Sequence, residues 1–207
     1  SRKLKKTSKP LLAYFMCLIP FLFGFILPVL FIINNTFHTF SETNFTKLFD
    51  LIGNSIFVST FSAIFIIAIA LFLLFVNRIS KIKSLSFINN LVSLGYALPG
   101  AVIGLGLILL FSSSSLVGSF LILFYAYIIR FLAVGKSPIK SSIEKQPESF
   151  DDTGKNLGLG PFKLLKQIHL PVNKYALISA FILVFIDVLK ELPITLILSP
   201  FNFETLA

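Results

Sequence analysis

Charge is what this sequence has least of. Only 13% of its 207 residues are Asp, Glu, Lys or Arg, against about 25% in a soluble domain. A chain so poor in charge is neither disordered nor an ordinary cytosolic globule. Carboxylates are scarcest, nine against 18 Lys and Arg, for a net charge of +9. One cysteine, Cys17, stands inside an apolar run, which excludes an internal disulfide and a cysteine-rich metal site. There are two histidines and no Ser/His/Asp or Cys/His arrangement, so nothing suggests nucleophilic catalysis and the chain reads as not an enzyme. What remains is apolar: 56% of residues, with a mean hydropathy of +0.91. The solvent this implies is a lipid bilayer.

A helix rises about 1.5 Å per residue, so roughly 20 apolar residues cross a hydrocarbon core of about 30 Å. By that rule the expected spans are 11–33, 55–76, 91–111, 116–134 and 172–189, the last extending to 198 after an interruption at Asp187, Lys190, Glu191 and Pro193. Arg130 falls near the end of the fourth, where its stem can snorkel to the interface. The run from Leu11 to Ile33 exceeds the core of a secretory signal, of about 7–15 residues, and is expected to be a span. The chain opens on Ser1 and stops at Ala207 without a polar tail. A fragment or processed chain is expected.

Loop charge alternates at each crossing. Arg2, Lys3, Lys5, Lys6 and Lys9 precede the first span, and Arg78, Lys81 and Lys83 follow the second. Lys136, Lys140, Lys145, Lys155, Lys163 and Lys166 follow the fourth. The segments 34–54 and 112–115 carry only Lys47. Cationic loops stay inside, so the N-terminus, the 77–86 loop and the 135–171 loop are expected in the cytoplasm. The basic excess is then topology, and no nucleic-acid partner is needed. His38 and His169 fall on opposite sides and cannot share a metal. In the outer loop Phe45, Leu48, Phe49 and Ile52 share one helical face, which predicts a short helix on the membrane surface or packed against the spans.

Several motifs are set aside. Gly135-Lys136-Ser137 resembles the end of a phosphate-binding loop, but the first Gly of that pattern is Arg130 here. Gly100, Gly104 and Gly106 lie in an apolar run, where small residues let helices approach. The triplets Asn34-Asn35-Thr36 and Asn44-Phe45-Thr46 match a weak glycosylation pattern.

The 135–171 loop is too long for a turn. Ser149 can cap a helix with Asp151 and Asp152 in its first turn, Gly158 can end it, and Pro161 can start a second. Phe162, Leu165 and Ile168 share a face of that second helix. Two short helices at a right angle form either a docking surface or an amphipathic loop on the headgroups.

This loop resembles the cytoplasmic signature of permeases in binding-protein-dependent ABC importers: Glu-Ala-Ala, three residues, Gly, nine residues, Ile-x-Leu-Pro. Asp152-Thr153-Gly154, Gly158 and Ile168-His169-Leu170-Pro171 fall at that spacing. Asp replaces Glu, and Thr-Gly replaces Ala-Ala. The loosening cost of a helical Gly is about 1 kcal/mol. Tyr96-Ala97-Leu98-Pro99-Gly100, Arg130-Phe131-Leu132-Ala133-Val134, Lys190-Glu191-Leu192-Pro193-Ile194-Thr195-Leu196 and the stretch from Pro200 to Ala207 resemble the iron(III) branch of that superfamily, in which two homologous halves are often fused; the chain is similar to the second half, with a further, last span missing.

The resemblance implies an all-α polytopic helix bundle of the type I ABC importer permease kind, in a bacterial inner membrane. It implies a periplasmic binding protein, separate ATPase subunits, and a second permease half or homodimer partner, with no cofactor or metal held by this chain. ATPase coupling would fall to Asp151, Asp152, Thr153, Gly154, Gly158, Ile168, Leu170 and Pro171. A translocation path or outer gate would fall to Tyr96, Pro99, Gly100, Asp187, Lys190, Glu191 and Pro193. Asp187, Lys190 and Glu191 can pair on one helix face, either at that gate or at the outer interface. Ferric iron is the cargo implied; thiamine, phosphonate or polyamine permeases share the loop, and an ATPase-independent transporter would not need it.

Overall fold

The computed structural model describes residues 9–40, 44–80, 87, 89, 91–114 and 116–206. The cations before Lys9, Lys81 and Lys83, and Ser115, lie outside them. Among the described residues every regular element is helical, and three helices are long and apolar enough to cross a membrane, or four if one bent pair counts as a span. The fold is a polytopic membrane helix bundle.

The chain divides into two units, residues 1–48 and 49–207. In the first, α1 (Lys9–Phe21) runs through a π-helical turn, Leu22–Ile26, into α2 (Leu27–Thr39). The π turn has a local cause. Pro28 has no N–H and its ring crowds the carbonyl four residues back; the wider turn relieves this, with the Leu27 N–H reaching Leu22 O. None of the side chains from Ala13 to Thr39 is buried. A largely apolar helix whose own unit leaves it unburied suits lipid.

The second unit holds the core. It is approached by α3 (Phe45–Ser80), a single helix of 36 residues. The face of Phe45, Leu48, Phe49 and Ile52 is therefore the start of a long helix, not a separate surface segment. A lone helical glycine, Gly53, costs about 1 kcal/mol and does not break it. Next come a 3-10 turn, Val92–Ala97, α4 (Gly100–Leu110) and α5 (Phe120–Glu144). Then follow α6 (Ser149–Asn156), α7 (Pro161–Leu164), a π turn (Leu165–His169), α8 (Leu170–Val172), α9 (Lys174–Leu189) and α10 (Leu192–Leu198).

Within 91–111 the backbone breaks at Leu98-Pro99, where both residues leave the helical region with ψ of 134° and 137°. The residue before a proline is pushed toward extended backbone. Around Asn173 the chain bends by 77° between Pro161–Val172 and Lys174–Leu189. The second π turn, like the first, ends two residues before a proline, here Pro171, and the Leu170 N–H reaches Leu165 O.

Helix α5 is the centre of the core. Ile122, Leu123, Ala126, Tyr127, Phe131 and Ile139 are buried among Val58, Ala63 and Ile66 of α3, Ile103 of α4, Val184 of α9 and Ile194 of α10. Gly135 lets α5 fit between neighbours: a Cβ there would meet Ile66 and Val184 at 3.1 and 3.2 Å. Lys136 beside it donates to Asn89 O and to Ser93 Oγ. The Gly-Lys-Ser triplet thus packs helices.

Candidate functional site

Two polar clusters interrupt this apolar bundle. The first lies where α3, α5, α6 and the second π turn meet. Helix α6 starts at Ser149, which is its first helical residue and not its cap; Glu148 precedes it and no side chain caps the end. Asp151 and Asp152 supply negative charge in the first turn, where the helix dipole favours it. The helix ends as the sequence predicts. The Leu159 N–H bonds Gly154 O and the Gly158 N–H bonds Lys155 O, with Gly158 at φ +77°. This is a Schellman closure, which needs a residue free to go left-handed. Gly160 is extended and Pro161 opens α7.

Asp151 turns inward from this elbow. Its Oδ2 accepts from Arg78 Nε at 2.5 Å, and its Oδ1 lies 2.7 Å from His169 Nε2. Arg78 spends its remaining donors on the end of α5: Nη1 on Ile143 O at 2.6 Å and Nη2 on Pro147 O at 3.0 Å, both shared with Gln146 O. A cation is favourable at a helix C-terminus, so one guanidinium fastens the ends of α3 and α5 to α6. His169 is wholly buried, with its ring edge-on to Phe75. Gln146 Nε2 donates to Asn173 Oδ1, and Asn173 Nδ2 to His169 O, which pins the bend before α9. Burial alone would raise the Asp151 carboxyl, but the hydrogen bonds and charges of Arg78 and His169 outweigh it and hold it below the usual carboxylate range.

The other residues expected to couple divide by exposure. Asp152, Thr153, Leu170 and Pro171 face outward, and Asp152 lies 4.0 Å from Lys155. Gly154 is buried, which explains its departure from alanine. A Cβ there would overlap Leu164 Cδ1 and meet Ile168 Cδ1 at 3.0 Å. Alanine can be admitted by a swing of those flexible ends; a branched side chain cannot. Gly154→Val is expected to lower the stability of the elbow by about 2 kcal/mol, readable as faster proteolysis within 145–172, while Gly160→Ala, with open space at its Cβ position, leaves the cleavage rate unchanged.

The second cluster lies on the central helix. Arg130 sits about 15 Å along α5 from Phe120, half of a hydrocarbon thickness of about 30 Å. It is mid-helix, and its guanidinium is held by partners within the bundle. Its Nε donates to Glu191 Oε2 at 3.1 Å and its Nη1 to Leu98 O at 2.5 Å. The guanidinium also lies 5.6 Å from the Phe131 ring centroid. The Thr195 hydroxyl donates to Glu191 O, so in the 2.6 Å contact between Tyr127 Oη and Thr195 Oγ1 the tyrosine donates. Glu191 Oε1 rests against Gly100, where a Cβ would overlap it.

Among the residues expected at a path or gate, the structure brings together Gly100 and Glu191, and with them Pro99 at the start of α4. Asp187 and Lys190 pair with each other at 3.4 Å in a more exposed position. Glu191 leaves their face because α9 ends at Leu189 and the backbone turns extended at φ −78°, ψ 98°. Pro193 lies in the first turn of α10 and opens a helix there. Tyr96 is exposed, with its ring 6.5 Å from that of Phe131. Sequence reasoning missed Arg78, Gln146, His169 and Asn173 in the first cluster and the pairing of Arg130 in the second. Among the described residues no three His, Cys, Asp or Glu side chains are placed to hold a metal ion.

No family model matches this sequence. The chain is similar to the Fe(3+)-transport system permease protein FbpB 2 of Haemophilus influenzae, with 27% identity over 169 residues, 81% of this chain and 33% of the relative. The chain therefore spans about a third of the length of the curated relative it matches. That likeness, covering most of the chain, bears out its resemblance to permeases of the iron(III) branch.

Proposed function

We propose that this chain is part of the permease of an ABC importer that passes ferric iron, delivered by a periplasmic binding protein, across a bacterial inner membrane. The chain itself catalyses nothing. Separate ATPase subunits dock on the 135–171 loop, which lies in the cytoplasm with the N-terminus. The observation that carries this reading is the elbow: a small, internally closed helix pair that holds large apolar side chains out among polar ones. Leu157 is 74% and Phe162 75% exposed, and Phe150 is half-exposed, while Arg78 and Asp151 fasten the inner face to two long helices. Apolar side chains held out on a rigid support suit a groove on a partner. The cargo rests on the likeness to an Fe(3+)-transport permease.

When the ATPases close, the elbow moves with them, and Arg78 carries that motion to α3 and α5. Inward and outward states then alternate by rocking of the bundle. Purification in detergent tests the docking. The unaltered chain is expected to bring an ATPase with it, and Leu157→Asp with Phe162→Asp to lose at least about tenfold of it, since removing interface anchors costs about 2 kcal/mol or more. Both side chains are exposed, so the chain itself still folds. An ATPase retained in full by that variant counts against docking here. For orientation, with Cys17 replaced by Ser, Ser113→Cys should react with an impermeant maleimide from outside and Ser142→Cys only after lysis; the reverse pattern inverts the topology.

A further inference from the structure

Two of the helix breaks described in the second unit meet at one side chain. Leu98 presents its carbonyl from the break before α4, and Glu191 stands at the break between α9 and α10. Arg130 of α5 bonds both. We propose that Arg130 is the positioning residue of the translocation gate: it ties the two breaks together in the closed state, and passage of substrate requires that tie to open. The proposal rests on the permease reading above and adds the residue and the contact that the gate turns on.

Three observations carry it. The tie joins two places where the helical backbone ladder is interrupted, so it links ends that no continuous ladder holds in line. It lies deep in the bundle, with side-chain exposures of 19% for Arg130 and 8% for Glu191. A charge placed there normally has a functional partner.

The tie is also incomplete. Glu191 Oε1 has no hydrogen-bond partner among the described residues, and it occupies the space left by the missing Cβ of Gly100. A buried pair with an unsatisfied oxygen gains little over its hydrated, separated state. It can therefore hold two helix ends in register and still yield when the ATPases pull. Arginine suits the task because its planar fork reaches an acceptor on either side at once. Lysine keeps the charge but gathers its donors on one nitrogen, without the separated donors of the fork.

The test uses the permease with its ATPase in proteoliposomes, supplied with radiolabelled iron(III) on the binding protein. Iron taken up and ATP hydrolysed are measured together for the unaltered complex, for Arg130→Lys and for Glu191→Asp. Arg130→Lys replaces the two separate donors, Nε on Glu191 and Nη1 on Leu98 O, by one nitrogen, and Glu191→Asp shortens the acceptor arm by one methylene. Coupling free energies between sites commonly correspond to about 5–150-fold; the iron-to-ATP ratio is expected to fall about tenfold in both variants. A merely structural role would lower uptake and hydrolysis together and leave the ratio unchanged, and that outcome overturns the proposal. If the unaltered complex takes up no iron(III), the permease reading and the tie fall together. If it does and both variants keep its ratio, only the tie falls.

Discussion

Asp151→Ala is expected to destabilise the elbow by about 3 kcal/mol, the low end of the cost of stranding one partner of a buried ion pair. The side chains of Arg78 and Asp151 are 12% and 8% exposed, so neither is rescued by water. The low end applies because Arg78 keeps Ile143 O, Gln146 O and Pro147 O as acceptors. The same change leaves His169 Nε2 without its acceptor. Loosening should appear as faster amide exchange across α6 and as a lower melting temperature by circular dichroism in detergent. Asp151→Asn, which keeps an oxygen for Arg78, should lose less.

The pH dependence has a definite sign. The Asp151 carboxyl is held low in the folded chain, while an unfolded aspartate titrates near about 3.9. Its contribution is therefore complete above that value and is lost as pH falls through the lower, folded one. The melting temperature of the unaltered protein should exceed that of Asp151→Asn at neutral pH, with the gap closing in acid. A gap that widens in acid contradicts the arrangement of charges described for the elbow.

Gly95→Val is expected to be the most damaging single change in the membrane-embedded unit. A Cβ at Gly95 would overlap the backbone carbonyl of Ile129, and backbone inside a helix cannot swing aside as a side chain can. Overpacking costs about 1–3 kcal/mol where neighbours can adjust; here about 3 kcal/mol or more is expected. The 3-10 turn must lift from α5, and Leu98 O then leaves Arg130. Gly106→Val provides the contrast, since nothing lies within 4 Å of a Cβ there. The yield of monodisperse protein and its melting temperature should drop for the first and change little for the second. Equal behaviour would mean that the turn does not press on α5 as described.

Much of the elbow was legible from local chemistry. Gly158 and Pro161 act at the positions where a left-handed closure and a helix start require them. The motif spacing also places Asp151 and Gly154 on one short helix. What lay beyond sequence was long-range. Arg78 and Asp151 are 73 positions apart and Arg130 and Glu191 are 61 apart, and no periodicity links them. Arg78 read as a topological charge and Arg130 as an interfacial one, because hydropathy counts a charge without its partner. The break at Leu98 did carry a signal, the proline that follows it, but a run of apolar residues on either side masked it. Glycine in place of the motif's alanine read as a looser helix; the packed bundle makes it a tight contact with Leu164 and Ile168.

The most direct test of a cytosolic elbow driving a membrane gate is reconstituted iron(III) uptake with and without the ATPase, for the unaltered chain and for Leu157→Asp with Phe162→Asp. Uptake is expected only with ATPase and ATP present, and is expected to vanish in the variant although the ATPase still hydrolyses ATP on its own. Uptake at full rate without the ATPase, or undiminished in the variant, would contradict it.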